Sequence, residues 1–546
     1  TNVPSAFDVS KPRQENAVLY SGTDPTLIFN TTSSAHTGMR ILYLDCDSLR
    51  ADHLGCYGYE RDTSPNVDAV AEEGRRFTNY YVSDAPCLPS RTAFWTGRFG
   101  VHTGVTNHSG INADPRPRGK HRGTTTGGRY RTLPRELRDQ GYDTALISPF
   151  PQRHGAFHAL DGFEEWVDTG ENGLERADTV APEAEAWLAD NAAKEDWYLH
   201  VNFWDPHTPY DTPQEFGNPF ADDPAPAWLT DEVVGDHYES YGPHSARDVH
   251  HGYLTGDGPD DLERTPDEIR GREDFDQWVD GYDVGVRYMD DHIGDLLDQL
   301  RAAGVYEETL IVVSADHGEN LGEQNVYGDH QTADDPTCRV PLIVSGPGIE
   351  PGVDDDLHYH LDLPPALVEL AGGDVPAGWD GDTLAPSLTD GESCGRDFLV
   401  TGQGAWACQR GVRWDDWLLL RTYHDGWKEF APVELYDLAH DPHETEDLAR
   451  EQPDVVRRGL ALLSEWHDER ALDAATGRAG GNPEAPRSLV DPLFETIREG
   501  GPTYLRGNTE SYTERLRETG REDHAAEIER RDGIVEQSPE AYLRDD

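Results

Sequence analysis

The sequence is poor in lysine and in long apolar runs. Only four of its 46 basic residues are lysine, whereas 105 residues are acidic, and the formal net charge is −59. A polyanion of this kind repels phosphate backbones, so we expect no nucleic-acid partner. No run of about 18 apolar residues occurs, which excludes a predicted transmembrane helix.

Cysteine is also scarce. The six cysteines lack the spacing of a disulfide framework, and they are Cys46, Cys56, Cys87, Cys338, Cys394 and Cys408. We therefore expect free thiols and a cytoplasmic protein. The first residues contain neither an apolar signal core nor a twin arginine, and export with a signal removed ahead of residue 1 remains an alternative.

The excess of acid has two interpretations. Strongly acidic chains can be disordered, but 13 tryptophans and several apolar runs favour a folded chain with a solvated acidic surface. Self-repulsion on this scale needs screening, so the composition indicates a halophile-type protein that works in high salt. A chain of 546 residues is long enough for two domains and a large core.

One short stretch combines a cysteine, a helix start and an arginine. Pro89 suits the first turn of a helix, and Gly97 stops the helix after an unbroken run. Cys87 would lie at the helix start, where free N–H groups and the dipole favour a thiolate or a bound anion. Arg91 adds a planar donor for an oxyanion. A buried structural cysteine beside a surface arginine is the alternative.

Polar residues follow two of the predicted strands. The apolar runs at 41–44, 142–148, 197–204 and 310–314 are typical of buried strands. Asp45 and Asp47 come at the end of the first run, and Asp316 with His317 follows the last. Ligands bind at the carboxyl ends of parallel strands, and an Asp-His pair offers one oxygen and one nitrogen ligand.

The stretch Cys-x-Pro-Ser-Arg followed by Thr-Gly-Arg resembles the signature of type I sulfatases, in the alkaline phosphatase superfamily. In that family the cysteine is oxidised after translation to formylglycine, whose hydrated aldehyde is the nucleophile. The resemblance covers residues 39 to about 470, with at least four motifs in order. It implies an α/β fold: a large mixed, mainly parallel sheet sandwiched by helices, with a smaller C-terminal α+β domain that holds an antiparallel sheet.

The resemblance also implies one divalent cation. Its expected ligands are Asp47, residue 87, Asp316 and His317, while Ser48 stands where many sulfatases have a further aspartate. Asp45 either compensates for that aspartate or supports the site from behind. A set of oxygens with one nitrogen favours Ca²⁺, with Mg²⁺ or Mn²⁺ as alternatives.

Three more positions match or replace residues that contact sulfate in the family. His207, in Asp-Pro-His-Thr-Pro, resembles the histidine that reaches the sulfate. Two family lysines are missing, and we expect Arg153 or His154 to replace the first and His330 the second. The predicted catalytic set is Cys87, Arg91, His154, His207 and His330, in which Arg91 and the cation orient the hydrate.

The resemblance implies hydrolysis of a sulfate ester, after maturation by a formylglycine-generating enzyme. The substrate is anionic, and a carbohydrate is one candidate for its alcohol part. A phosphodiesterase or phosphonate monoester hydrolase of the same superfamily is the first alternative. A non-catalytic binder of sulfated ligands, in which Cys87 is never oxidised, is the second.

The pattern divides the chain into four predicted regions. They are a peripheral extension (1–38), a catalytic domain (39–390), a smaller antiparallel-sheet domain (391–472) and a charged tail of unassigned role (473–546). Residues 211–270 read as a long surface excursion. Residues 116–131 carry six basic residues and no acid, which indicates either a solvated loop or an anion-attracting rim near the nucleophile.

Overall fold

The centre of the protein is a mixed sheet of eight strands. The computed structural model describes residues 38–115, 131–170, 175–250, 264–476, 491–531 and 533. The strands are β1 (Arg40–Cys46), β2 (Arg75–Tyr81), β3 (Asp143–Ile147), β4 (Glu165–Val167), β5 (Trp197–Phe203), β6 (Thr309–Ser314), β7 (Asn320–Leu321), β8 (Tyr327–Asp329), β9 (Leu342–Ser345), β10 (Gly352–Tyr359), β11 (Phe398–Gln403), β12 (Cys408–Trp414), β13 (Trp417–His424) and β14 (Val433–Asp437).

Strand β1 lies in the middle of this sheet. The order is β10-β2-β9-β6-β1-β5-β3-β4, and β9 alone among these strands runs antiparallel to its neighbours. β1, β5 and β6 are buried along their whole length, as expected of apolar strands covered on both faces. Asp45 lies opposite Asn202 in β5 and Ser314 in β6, so the three strands end at one edge.

Two groups of helices pack on the sheet. α8 contacts α1 and α6, while α2 contacts α4 and α10. The helices are α1 (Pro65–Glu73), α2 (Cys87–Thr96), α3 (Gly100–Thr103), α4 (Leu133–Asp139), α5 (Phe150–Arg153), α6 (Ala177–Asn191), α7 (Asp231–Glu239), α8 (Arg272–Ala303), α9 (Asp335–Cys338), α10 (Leu363–Leu370), α11 (Ala385–Asp390), α12 (Pro453–Thr476), α13 (Pro492–Arg498), α14 (Thr509–Glu518) and α15 (Glu522–Arg531).

The second sheet is antiparallel and consists of the consecutive strands β11 to β14. Helix α12 packs on β11, β12 and β13. The backbone N–H of Ala85, just before α2, donates to the Gly402 carbonyl in β11 at 2.7 Å. The two sheets confirm the predicted fold class, and the second one anchors the approach to α2.

Two segments are more deeply packed than their composition suggested. In the described parts of this stretch, residues 211–250 and 264–270, Tyr241, His244 and Asp248 are buried, so these parts do not lie wholly at the surface. The charged region after residue 473 contains α13, α14 and α15. The Tyr512 hydroxyl, in α14, donates to the buried Asp248 carboxylate at 3.1 Å, so the two segments pack together.

The six cysteines are all free, as their spacing indicated. Most of them are buried small side chains, and Cys56 and Cys394 are half-buried. Among the helices in the described part of the chain, none has the length and apolar character needed to cross a bilayer.

A buried carboxyl group after β5 gives a testable pH dependence. Asp205 Oδ2 accepts the N–H of Ala177, the first residue of α6, at 2.7 Å. Burial and then Asp211 raise the pKa of Asp205 to about 8. The folded state therefore binds more protons than the unfolded state between about pH 4 and pH 8, and stability falls as the pH rises through that range.

We expect Asp205→Asn to remove this loss. Relative to the wild type, the variant should gain roughly 1–3 kcal/mol between pH 5 and pH 8, because its amide stays neutral. Denaturant unfolding at both pH values measures the difference. Asp190→Asn, at an exposed position of α6, is the matched control and should show no such pH-dependent gain. Equal behaviour of the two variants would contradict a protonated Asp205.

Candidate active site

Arg91 lies at the edge where β1 and β6 end, and it joins three carboxylates. Its Nε donates to Asp45 Oδ2 at 2.8 Å, its Nη1 to Asp316 Oδ2 at 2.6 Å and its Nη2 to Asp47 Oδ2 at 3.1 Å. Arg91 is 3% exposed, and its guanidinium lies over the Phe150 ring. The planar guanidinium with five donors suits such a bridge, so Arg91 fixes residues from two strands relative to α2.

Helix α2 presents Cys87 at its first position. It ends at Gly97, whose φ of 60° is left-handed, as predicted for a glycine stop. The Cys87 Sγ lies 3.1 Å from His317 Nε2. Burial, and then Asp47 and Asp316, raise the pKa of the Cys87 thiol to about 11. In the absence of a cation, burial and the two carboxylates thus outweigh the effect of the helix start on the pKa of this thiol.

His317 has the tautomer of a metal ligand. Its Nδ1 must donate to the Gly318 carbonyl at 2.8 Å, since a carbonyl only accepts, and this leaves the lone pair on Nε2. Nε2 lies 3.3 Å from Asp316 Oδ2 and 3.7 Å from Asp47 Oδ1. Burial lowers the pKa of His317 well below its ordinary value. A neutral imidazole lone pair that faces two carboxylate oxygens is unfavourable unless a cation lies between them.

The four predicted metal ligands are brought together. The ligand atoms of Asp47, Cys87, Asp316 and His317 all lie within 4.8 Å of one another, and the four residues are buried. Burial and then Asp47 raise the pKa of Asp316 well above its ordinary value, even though Arg91 opposes this. The positive charge of Arg91 thus does not balance the negative charges of the carboxylates in the cluster. Carboxylate oxygens with one imidazole suit a divalent cation, so the donor set fits the implied ion.

Ser48 and Asp45 support this cluster from its edge. The Ser48 backbone N–H donates to Asp316 Oδ1 at 3.3 Å, and its hydroxyl donates to Asp47 Oδ1 at 3.4 Å. Asp45 Oδ2 contacts His200 Nε2 at 3.2 Å as well as Arg91. Ser48 therefore orients two carboxylates, and Asp45 acts through Arg91.

His207 lies beside the cluster, in the chain that follows β5. Its ring stacks on Trp204 with centroids 3.8 Å apart and lies 5.3 Å from the His330 ring. The His207 Nδ1–H donates to the Thr208 carbonyl at 2.6 Å, so Nε2 carries the lone pair. Burial lowers the pKa of His207, which leaves a neutral imidazole that can take up a proton at Nε2.

Arg153, rather than His154, reaches the cluster. Arg153 Nη2 lies 3.6 Å from Asp47 Oδ2, and the guanidinium stacks on Trp204 at 3.7 Å. This Nη2 is buried and makes no hydrogen bond within the described part of the chain. The Arg153 Nε donates to His154 Nε2 at 3.0 Å, which occupies that nitrogen. His154 thus holds Arg153 in place.

His330 provides a second cationic group. Its Nε2 lies 3.5 Å from Asp329 Oδ1, and its Nδ1 lies 3.7 Å from Glu319 Oε2. Burial opposes a charge here, but Asp329, Cys87 and Glu319 raise the pKa of His330 well above its ordinary value. The other oxygen of Asp329 lies 3.0 Å from His244 Nε2. The neighbouring acidic groups therefore favour the protonated, cationic form of His330.

Family models match most of the chain. The Sulfatase model matches residues 40–373, and the model described as N-sulphoglucosamine sulphohydrolase, C-terminal, matches residues 322–458. The chain belongs to the sulfatase family.

Several relatives are named as sulfatases of different specificities. Choline-sulfatase of Rhizobium meliloti (strain 1021) is 26% identical over 80% of this chain and 87% of its own. N-acetylglucosamine-6-O-sulfatase of Bacteroides thetaiotaomicron is 24% identical over 75% of this chain and 82% of its own. A protein solved in complex with its substrate D-glucosamine-2-N,6-O-disulfate shares the fold, with a TM-score of 0.64, 21% identity and coverage of 79% and 98%.

Membership in the family establishes the class of reaction. The enzyme is a sulfuric ester hydrolase, and the family generally uses a divalent metal and a formylglycine derived from its cysteine. Cys87 and Arg91 lie in the same helix, α2, and Arg91 contacts the carboxylates of the buried cluster. The cluster therefore lies beside the cysteine that the family oxidises.

Two residues at the site were not predicted. His108 Nε2 accepts the backbone N–H of Leu88 at 3.4 Å, and the His108 Nδ1 is hydrogen-bonded to the Tyr504 hydroxyl. His108 follows α2 closely in the sequence, and this was a weak indication that it lies near the site. Tyr504 gave none, since it lies far beyond the recognised motifs.

The basic segment contributes one described residue. Residues 116–130, on which the expected anion-attracting rim depends, lie outside the described residues. Arg131 is ion-paired with Glu136 and with Asp139, the latter at 2.7 Å. Arg131 therefore binds α4 and does not serve as a free anion contact.

Proposed function

We propose that the sulfate ester hydrolysed by this enzyme belongs to a carbohydrate, and that its cation is Ca²⁺. A relative that acts on N-acetylglucosamine-6-O-sulfate by its name, and a similar fold bound to a disulfated glucosamine, support the sugar. The carboxylate cluster that Arg91 gathers beside Cys87 is the observation that carries the proposal. A donor set rich in carboxylate oxygen supports calcium.

Cys87 is the residue that a formylglycine-generating enzyme would oxidise. As a hydrate, the resulting aldehyde supplies one hydroxyl to attack sulfur and a second whose proton loss lets the hydrate expel sulfate. The thiol sulfur stands in for these oxygens, and it lies 3.1 Å from His317 Nε2. When bound, the cation withdraws charge from the oxygens that ligate it.

The side chains of the site divide the remaining work. Arg153 and His330 place positive charge where the sulfate oxygens gain charge during the reaction. His207 holds its Nε2 lone pair in the site, so this nitrogen can accept the proton that the second hydroxyl of the hydrate loses when sulfate is expelled. Arg91 keeps Asp47 and Asp316 in position beside residue 87.

A phosphonate or phosphodiester substrate is the second candidate. Phosphonate monoester hydrolase from Silicibacter pomeroyi shares the fold, with a TM-score of 0.59 and 21% identity over 79% of this chain. Two cationic groups can hold a phosphonate monoester as well as a sulfate ester. A larger kcat/KM for the monoester 4-nitrophenyl phenylphosphonate than for 4-nitrophenyl sulfate would favour this candidate.

The proposed function is tested by three measurements on the same protein. The mass of the peptide that contains Cys87 shows whether the thiol has become an aldehyde. Metal analysis identifies the bound ion, and sulfate release is followed from monosulfated sugars and from 4-nitrophenyl sulfate. An unmodified Cys87 in protein from a cell that has the maturation enzyme would instead favour a non-catalytic binder.

Arg153 should contribute to substrate binding. We expect Arg153→Gln to raise the KM for a sulfate ester about 10- to 100-fold, because a hydrogen bond to a charged group contributes roughly 1.5–3 kcal/mol. Steady-state kinetics measure the change. The control is Arg138→Gln in α4, where the arginine lies 3.9 Å from Asp139 and is partly exposed. An unchanged KM in Arg153→Gln would exclude contact with the sulfate.

A further inference from the structure

The segment 491–531 contributes to the wall beside Cys87. It lies beyond residue 458, where the family matches end. The segment contains α13, a 3-10 turn at Thr503–Leu505, α14 and α15. Its charged and broken sequence pattern is typical of a solvated tail, so its place in the site is known only from the fold.

Buried ion pairs and hydrogen bonds hold this segment on both sides of the turn. Before the turn, Asp491 pairs with Arg410 at 2.9 Å, and both residues are buried. After the turn, the Tyr512 hydroxyl binds Asp248 at 3.1 Å. Breaking a buried pair leaves an unpaired charge, which is costly, so the turn at Thr503–Leu505 has a fixed position.

Tyr504, in this turn, reaches the residues around Cys87. Its ring stacks on the buried Trp406, with centroids 4.6 Å apart. Its hydroxyl is hydrogen-bonded to His108 Nδ1. The His108 ring lies 4.7 Å from the His154 ring. The His108 Nε2 accepts the N–H of Leu88, the residue after the nucleophile, at 3.4 Å.

In the hydrogen-bonded series Leu88, His108 and Tyr504, the direction of each bond determines where the protons lie. Because Leu88 donates to His108 Nε2, the proton of the neutral ring is on Nδ1, and His108 donates to the Tyr504 oxygen. Tyr504 then keeps its own proton, for which no acceptor occurs within the described residues. Burial, followed by Cys87 and Asp329, raises the pKa of Tyr504, so the hydroxyl remains a donor.

Charge distinguishes this wall from the part of the site that binds sulfate. Arg153 is cationic and lies beside Asp47 of the carboxylate cluster, and His330 lies beside Asp329 and Glu319. Burial lowers the pKa of His108 well below its ordinary value, so the wall of His108, Trp406 and Tyr504 is uncharged. A neutral aromatic wall with one free donor suits a hydroxylated alcohol and not a sulfate group.

We propose that Tyr504 is a specificity-determining residue whose hydroxyl donates a hydrogen bond to an oxygen of the sugar that bears the sulfate. The inference rests on the proposed carbohydrate sulfatase function. It assigns the recognition of the alcohol part to a segment that lies outside the matched family regions. The Trp406 ring holds Tyr504 in place, and His108 fixes the direction of its donor.

The test compares two substrates in one variant. In Tyr504→Phe, kcat/KM for a monosulfated glucosamine should fall about 10- to 100-fold, because a sugar oxygen loses its donor in a partly desolvated site. For 4-nitrophenyl sulfate, whose alcohol part has no hydroxyl to accept this bond, kcat/KM should change by less than about threefold. The ratio of the two values is the readout.

Tyr306→Phe is the matched control, since it removes a tyrosine hydroxyl that donates to Glu73 at 3.1 Å and that takes no part in holding the turn. It should lower stability without changing the ratio between the substrates. Equal losses on both substrates in Tyr504→Phe, or an unchanged ratio, would overturn the proposal. A wild type that hydrolyses the aryl sulfate but no sulfated sugar would also overturn it, while sulfatase activity itself would stand. A wild type with an oxidised Cys87 and no sulfatase activity would refute the proposed function first.

Discussion

Replacing Cys87 with alanine should abolish turnover and leave the fold intact. The side chain at this position is the nucleophile once it is oxidised, and alanine can form no aldehyde. We expect the rate of sulfate release to fall by more than about 10⁴-fold, as when the nucleophile of a hydrolase is removed. Release of sulfate over many turnovers is the measurement, with circular dichroism to check the fold.

Two further variants sharpen this test. Cys87→Ser keeps a hydroxyl but not the aldehyde hydrate, so it should allow at most one turnover per molecule unless the host oxidises serine. Cys408→Ala removes another buried, free cysteine that is not in the metal cluster, and it should keep full activity. Multiple turnovers in Cys87→Ala would refute the formylglycine mechanism.

The main elements around the site were predictable because their signals are local. The apolar run that became β1, followed by Asp45 and Asp47, obeys the rule that ligand residues follow the ends of parallel strands. Pro89 and Gly97 mark the ends of α2 through backbone preferences that depend on single residues. These local backbone preferences are kept in the folded protein because the packing around β1 and α2 does not oppose them.

The ionisation of Cys87 was not predictable in the same way. The helix start favours a thiolate, and that term is visible in the sequence. Burial and the carboxylates of Asp47 and Asp316 act in the opposite direction, and they reach Cys87 only through tertiary packing. The sign of the pKa shift therefore depends on contacts between β1, β6 and α2 that no local pattern specifies.

Which of Arg153 and His154 reaches the carboxylate cluster also depends on tertiary packing. The two residues are adjacent in sequence, and either could replace a lysine by charge. In the folded protein Trp204 stacks on the Arg153 guanidinium and directs it towards Asp47, while His154 accepts a hydrogen bond from Arg153. Only the position of Trp204, which directly follows β5, separates the two roles.

Tyr504 is the extreme case of a non-local contact. It is 396 residues from His108 in sequence, and its surroundings are charged and broken by glycine. Pairing of residues so distant depends on the buried ion pair between Asp491 and Arg410 and on the packing of α14. Neither the composition nor the periodicity of this segment contains that information.

The cation should be essential, and its removal should be reversible. Chelation with EDTA should lower the rate about 10³-fold, because a bound cation contributes several kcal/mol of charge stabilisation. Adding Ca²⁺ should restore the rate, and Mg²⁺ or Mn²⁺ should restore less if calcium is the native ion. Metal analysis should find one equivalent in the untreated enzyme.

Asp47→Asn tests the ligands without relying on activity. Asp47 is fully buried, and its carboxylate offers one of the oxygens of the cluster. We expect the variant to retain less than one tenth of an equivalent of metal and to lose the rise in melting temperature that Ca²⁺ gives the wild type, since an ion bound by the folded state alone stabilises it. Asp62→Asn, at an exposed position 77% accessible, is the control and should bind one equivalent. A full equivalent of metal in Asp47→Asn, or full activity of chelated and metal-free wild type, would show that the carboxylates Arg91 gathers serve a purpose other than holding an ion.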